Sequence, residues 1–216
     1  FVQNAHIDIS LYNKMYSESI SNPEAFWAEH AKRVEWIKPF SKVKNVCFRY
    51  PDISIKWFED GYLNVSTNCI DRHLKQRREQ TAIIWEGDNP GESKEISYGT
   101  LHSQVCKLAN VYKSLGIKKG HRVILYLPMI PEAAYAMLAC ARIGAIHSIV
   151  FGGFSPEALA SRIVDCGASL VVTADEAPRG GRITPLKANV DKAMKICGDI
   201  PTLVIERTQG DVPMKS

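Results

Sequence analysis

Apolar residues along the chain follow two regimes that meet near residue 80. Beyond that point the pattern is regular. Thr81-Ala-Ile-Ile-Trp85 reads as a strand, Gly87-Asp-Asn-Pro-Gly91 as a turn and Glu95-Ile-Ser-Tyr98 as a short partner strand. Ser97 caps a helix to Leu115 whose inward face is Leu101, Val105, Leu108, Ala109 and Tyr112, with Gly116 as its stop. Residues 121–127 are a strand. Pro131 opens a helix that is apolar nearly all round and ends at Gly144, a pattern that demands cover on both sides. Residues 145–151 form the next strand, and Ser155-Pro156-Glu157 starts a capped helix stopped by Gly167. Residues 169–173 are a strand, Pro185 opens a helix to about Cys197, and 202–205 are a last strand.

Before residue 80 the signals are looser and mostly helical. Leu11, Met15 and Ile20 keep an approximate helical spacing, and Asn22-Pro23-Glu24 supplies a cap, a first-turn proline and an early acid. Phe26, Trp27, Ala31, Val34 and Ile37 continue an apolar stripe that ends before Pro39. Ile53, Ile55 and Trp57 alternate as a short strand, and 68–78 reads as one more helix.

Regular alternation of strand and helix predicts an α/β domain with a parallel sheet and helices on both faces, because parallel neighbours need crossover connections. The organisation expected is a helical or irregular extension over 1–80 and an α/β portion over 81–216. The 216 residues, 45% hydrophobic and 23% charged, suffice for a core without staples. Lys+Arg 27 against Asp+Glu 23 leaves +4, too mild and too dispersed for a nucleic-acid binder. The run Lys75-Gln-Arg77-Arg78 reads as a solvated helix face. The stretch 133–154 is broken by Arg142, Gly144 and His147, so no membrane span is expected. Six scattered cysteines without a C-x-x-C pair fit neither a disulfide scaffold nor a zinc site, and imply a reducing, cytoplasmic compartment.

In parallel sheets, ligands meet the loops that leave the carboxyl ends of strands. Two such loops stand out. Gly152-Gly153 permits positive φ and close backbone approach directly before a capped helix, a place that favours an anion, although a strand-to-helix turn alone also asks for glycine. In Arg179-Gly180-Gly181-Arg182, two guanidinium groups flank a pair of glycines. Such groups suit phosphate and a purine face, and equally a solvated loop paired with Asp175 and Glu176. His147 reads as a core histidine, and Asp71-Arg72-His73 as an internal ion pair on a helix. No metal-ligand spacing, nucleophile elbow or phosphate-loop motif occurs, so no catalytic residue and no metal ligand is assigned.

Ile55-Lys-Trp-Phe-Glu-Asp-Gly61, Asn68-Cys-Ile-Asp-Arg-His-Leu74, Thr81-Ala-Ile-Ile-Trp-Glu-Gly87, the run from Pro131 to Ala145, and Phe151-Gly-Gly-Phe-Ser-Pro-Glu157 together resemble the AMP-forming acetyl-CoA synthetases of the adenylate-forming superfamily. The loop from Asp175 to Arg182 matches too. The resemblance implies that the α/β portion is the first part of the family's large N-terminal domain. It also implies a two-step reaction. Acetate and ATP, with Mg²⁺, give acetyl-adenylate and pyrophosphate; CoA then displaces AMP to give acetyl-CoA. A propionyl-CoA synthetase or another short-chain acyl-CoA ligase is the alternative, and a free-standing nucleotide-binding module a third.

By the same resemblance, Arg179, Gly180, Gly181 and Arg182 would bind the 3′-phospho-ADP end of CoA, with Gly152 and Gly153 beside the CoA tunnel. Ala177-Pro178 stand where the family loop would have a glycine. The family's Lys-Gly phosphate loop, hinge Asp and C-terminal catalytic Lys do not occur in this chain. The expectation is therefore an N-terminal part, inactive alone, whose partners are small molecules and the C-terminal remainder of the same protein.

Overall fold

The computed structural model describes residues 5–214, which form two compact units dividing after Asn64. In the first unit, Asp8 caps α1 (Ile9–Ser21) by accepting from the Leu11 amide at 2.7 Å. Asn22 caps α2 (Pro23–Ala31), with Pro23 at the first helical position. The helix stops at Ala31, short of the apolar stripe's end at Ile37; the Ala31 carbonyl there accepts from the Trp36 indole at 3.0 Å. Strands β1 (Lys42–Cys47) and β2 (Ser54–Glu59) then pair antiparallel.

In the second unit, the helix expected over 68–78 is broken into α3 (Val65–Cys69), a 3₁₀ turn at Asp71–His73 and α4 (Leu74–Arg77). The break falls at Ile70, which is fully buried with φ −126° and ψ −67°. Burying that side chain outweighs the continuity of the helix. The basic run at 75–78 is exposed, as its sequence suggests. Asp71 reaches across the fold. Its carboxylate takes a two-pronged contact from Arg142, at 2.7 and 2.8 Å, with His102 Nε2 3.6 Å away.

The Arg142 guanidinium holds the Asp71 carboxyl below its usual range. A carboxyl lowered on folding stabilises the fold above its unfolded value of about 4, and that stabilisation is lost as pH falls through the folded value. Asp71→Asn should therefore destabilise by roughly 1 kcal/mol at pH 7, with the gap to wild type closing below about pH 4. Denaturant unfolding at pH 7 and pH 3 reads this directly. An equal gap at both pH values would mean the carboxylate charge contributes nothing.

An antiparallel pair, β3 (Thr81–Glu86) and β4 (Ser93–Ser97), leads into α5 (Tyr98–Ser114), which Ser97 caps. Strands β5 (Arg122–Leu127), β6 (Ile146–Phe151), β7 (Leu170–Ala174) and β10 (Thr202–Ile205) form one parallel sheet in the order β10-β7-β5-β6. The connections are α6 (Pro131–Ile143), α7 (Pro156–Cys166) and, after β7, a hairpin of β8 (Ala177–Arg179) and β9 (Arg182–Thr184) followed by α8 (Leu186–Cys197). The chain steps from β5 outward to β6, then back across β5 to β7 and on to β10. Right-handed crossovers therefore place α6 on one face and α7 and α8 on the other. The packing agrees: α5 lies against α6, and α7 against α8.

Left-handed glycines at 144 and 167 end α6 and α7. No residue of α6 is exposed, and its outer cover comes from α5 and α3 within the described residues. Val123, Ile124, Tyr126, Leu170, Val171 and Val172 are fully buried between the helix layers. Edge strand β6 is different: Ile146, Ile149 and Phe151 are exposed, and so is His147, which the sequence pattern placed in the core. β6 has a neighbouring strand on one side only, and four of its six residues reach solvent. Cys140 is buried, and all six cysteines are unpaired.

Candidate functional site

Order β10-β7-β5-β6 makes β5 and β7 neighbours whose outgoing connections run in opposite directions. Their carboxyl ends therefore open a crevice, the usual ligand position in doubly wound sheets. A cavity of about 320 Å³ lies there. Its walls come from the loops after β5 (Pro128, Met129) and β6 (Gly152, Gly153), from β8 (Pro178, Arg179) and from the β3–β4 turn. The size suits part of a cofactor-sized ligand.

Strands β8 and β9 were not legible as strands, yet they explain the Arg-Gly-Gly-Arg run. Gly180 and Gly181 have φ +56° and +72°, the two central positions of a mirror-image hairpin turn that glycine enters without strain. Arg179 and Arg182 are the last cross-strand pair before that turn, so both side chains leave the same face of the hairpin. Arg179 lines the cavity with its guanidinium 5.1 Å from the Phe151 ring centroid. Gly180, Gly181 and Arg182 sit at the exposed tip, outside the lining. The Gly180 amide donates to Asp88 Oδ1 at 2.9 Å, tying the tip to the β3–β4 turn.

Gly152 and Gly153 both line the cavity, but neither has a positive φ, contrary to the conformational reason for expecting them. At Gly152 an added Cβ would meet only ordinary contacts, 3.5 Å from Leu127 O and Leu186 Cδ2. At Gly153 it would fall 2.6 Å from Phe151 Cε1, so this glycine keeps room for the ring that Arg179 covers. The buried Tyr126 hydroxyl fixes this loop by hydrogen-bonding the Phe154 carbonyl at 2.8 Å and lying 3.1 Å from that of Gly152. Asn189 of α8 donates to the same hydroxyl at 3.3 Å.

Several cavity residues are given no role by the sequence alone. The Trp85 indole donates to the Met129 carbonyl at 2.7 Å, and Arg207 lies over its ring, 5.4 Å from the centroid, while pairing with Glu92 at 2.6 Å. Asp88 and Glu86 complete a rim of mixed charge. An aromatic shelf and two arginines offer a flat face and forked donors, a combination that receives a purine and phosphates. Among the described residues no group of three or more His, Cys, Asp or Glu could hold a metal ion, and no helix is long and apolar enough to cross a membrane.

Comparison with known proteins fits this geometry. Residues 70–212 match the model of the AMP-binding enzymes. The chain belongs to the AMP-binding enzyme family. Residues 12–69 match the model described as acetyl-coenzyme A synthetase N-terminus. The chain is 61% identical over 217 residues to an acetyl-coenzyme A synthetase of Methylobacterium radiotolerans, covering 99% of this chain and 34% of that one. It is 62% identical over 215 residues to one of Mesorhizobium japonicum, covering 97% and 33%. The chain thus spans about a third of the length of these relatives. Among solved structures, an acetoacetyl-CoA synthetase from Streptomyces lividans superposes with a TM-score of 0.83 over 94% of this chain and 31% of that one, at 22% identity. At that identity the likeness is one of fold, and the fold is the expected α/β one.

Proposed function

We propose that this chain works as the N-terminal third of an acetyl-CoA synthetase and supplies part of its CoA site. The whole protein would join acetate to ATP, release pyrophosphate, and pass the acetyl group from the adenylate to CoA. The observation that carries the reading is the juxtaposition of Arg179, Arg207 and Trp85 at the crevice between β5 and β7, in a chain about 60% identical to acetyl-CoA synthetases. Arg179 and Arg182, held on one face by the Gly180-Gly181 turn, would grip the phosphates of the 3′-phospho-ADP end. Gly152 and Gly153 would let the pantetheine arm pass close to the backbone. Relatives named for acetate favour that acid over propionate. Mg²⁺ would enter with ATP, and no residue described here is given a metal role. Six unpaired cysteines suit a cytoplasmic setting.

Trp85 makes the reading testable in the chain as it stands. CoA should quench indole emission saturably, dephospho-CoA should need a higher concentration, and pantetheine alone should leave emission unchanged. Trp85→Phe should remove the signal. Quenching by pantetheine equal to that by CoA, or none by CoA, would overturn the assignment.

A further inference from the structure

We infer that Asp175 is a positioning residue that shapes this cavity by holding Arg207 over Trp85. The inference takes its ligand from the CoA reading above, but its geometry stands apart from it. Asp175 follows β7 directly, and its side chain is only 2% exposed. A carboxylate buried so deeply needs several donors, because leaving it unpaired costs more than any packing gain there.

The donors come almost wholly from one segment. Oδ1 accepts from the amides of Glu176 at 2.7 Å and Arg207 at 2.8 Å. Oδ2 accepts from the Thr208 amide at 3.0 Å, the Thr208 hydroxyl at 3.2 Å and the Gly210 amide at 3.3 Å. Burial alone pushes the Asp175 carboxyl up, but the amides of Arg207, Glu176, Thr208 and Gly210 outweigh it and keep the group below its usual range. The ionised form is therefore the one the fold selects.

The loop after β10 contributes three residues to this knot, Arg207, Thr208 and Gly210, and one of them is the cavity's Arg207. Two residues beyond Asp175 the chain enters β8, which ends in Arg179. One buried carboxylate thus sits at the root of both arginine-bearing walls. Glu176 Oε2 lies 2.8 Å from the same Thr208 hydroxyl and shares its single proton with Asp175 Oδ2. Nothing in Asp175 reaches the cavity itself, and it is absent from the lining, so it acts through Arg207. A long arginine side chain whose backbone floats would lose the stacked position at an entropic cost comparable to the contact.

The test is Asp175→Asn in this same chain, which keeps the shape but turns two acceptors into one acceptor and one donor. Amide hydrogen exchange at Arg207, Thr208 and Gly210 should quicken at least tenfold, while Val171 and Val172 in β7 stay protected. Trp85 emission without ligand should shift as the guanidinium leaves the ring, and CoA affinity should fall about tenfold. Thr208→Val, which removes one hydroxyl donor and leaves the amides, should shift emission and affinity the same way by about threefold; it also serves if Asp175→Asn fails to fold. Unchanged emission in these variants, or freed amides with unchanged affinity, would reduce Asp175 to a support of the fold and overturn the inference. Failure of the wild-type chain to bind CoA would instead sink the CoA reading, and exchange and emission would still judge Asp175.

Discussion

Replacing Arg179 by alanine should weaken CoA binding roughly ten- to a hundredfold. One charge-assisted contact to a phosphate is worth about 1.5–3 kcal/mol, and each 1.4 kcal/mol is a factor of ten. The side chain is exposed and reaches the cavity from a hairpin end, where its removal leaves Gly180, Gly181 and the bond to Asp88 in place. The loss should therefore appear in binding with little change in stability. When the chain is joined to the remaining two thirds of a relative's length, KM for CoA should rise by the same factor. Acetate-dependent pyrophosphate exchange should stay near wild type, since in the proposed reaction that half precedes CoA. Arg182→Ala should follow the same pattern from the other strand of the hairpin. If Arg179→Ala slowed pyrophosphate exchange as much as overall turnover, with KM for CoA unchanged, the hairpin would belong to the adenylate half of the reaction.

Much of this site could be read in one dimension, and the reason is local. Gly180-Gly181 favours a mirror-image turn between short extended runs, although β8 and β9, of three residues each, are too short to show a period of their own. Helices α6 and α7 were equally legible because Pro131, Ser155, Gly144 and Gly167 punctuate the chain where the apolar period changes. What stayed hidden depends on partners distant in sequence. Neither Trp85, inside a family-like stretch, nor Arg207 shows a cavity role in the sequence, and they meet where β3 ends beside the loop after β10. Asp71 looked like a local ion pair until α6 brought Arg142 to it. The helix over 68–78 fails at Ile70 because a buried side chain there outweighs helical propensity. His147 alternates like a core residue, yet the strand order puts β6 at an edge, and no periodicity reports strand order.

That edge sets up a stability contrast between neighbouring strands. Ile124 and Ile149 lie on adjacent, hydrogen-bonded strands, one fully buried and the other 59% exposed. Truncating the buried one removes apolar contact and leaves a cavity between helix layers that already interdigitate, so Ile124→Ala should cost about 2–5 kcal/mol. Against a domain stability of roughly 5–15 kcal/mol this is a substantial fraction, and thermal unfolding followed by circular dichroism should show Tm lowered by about 4–20 °C. Ile149→Ala should stay within about 0.5 kcal/mol, because water already covers most of that side chain. The two variants differ only in which strand of one sheet they touch, so propensity effects cancel and burial decides the outcome. A small loss for Ile124→Ala would mean that the sheet is not the core of this unit. An equal loss for Ile149→Ala would mean that the open flank of β6 is covered in solution by another copy, and its size would then depend on protein concentration.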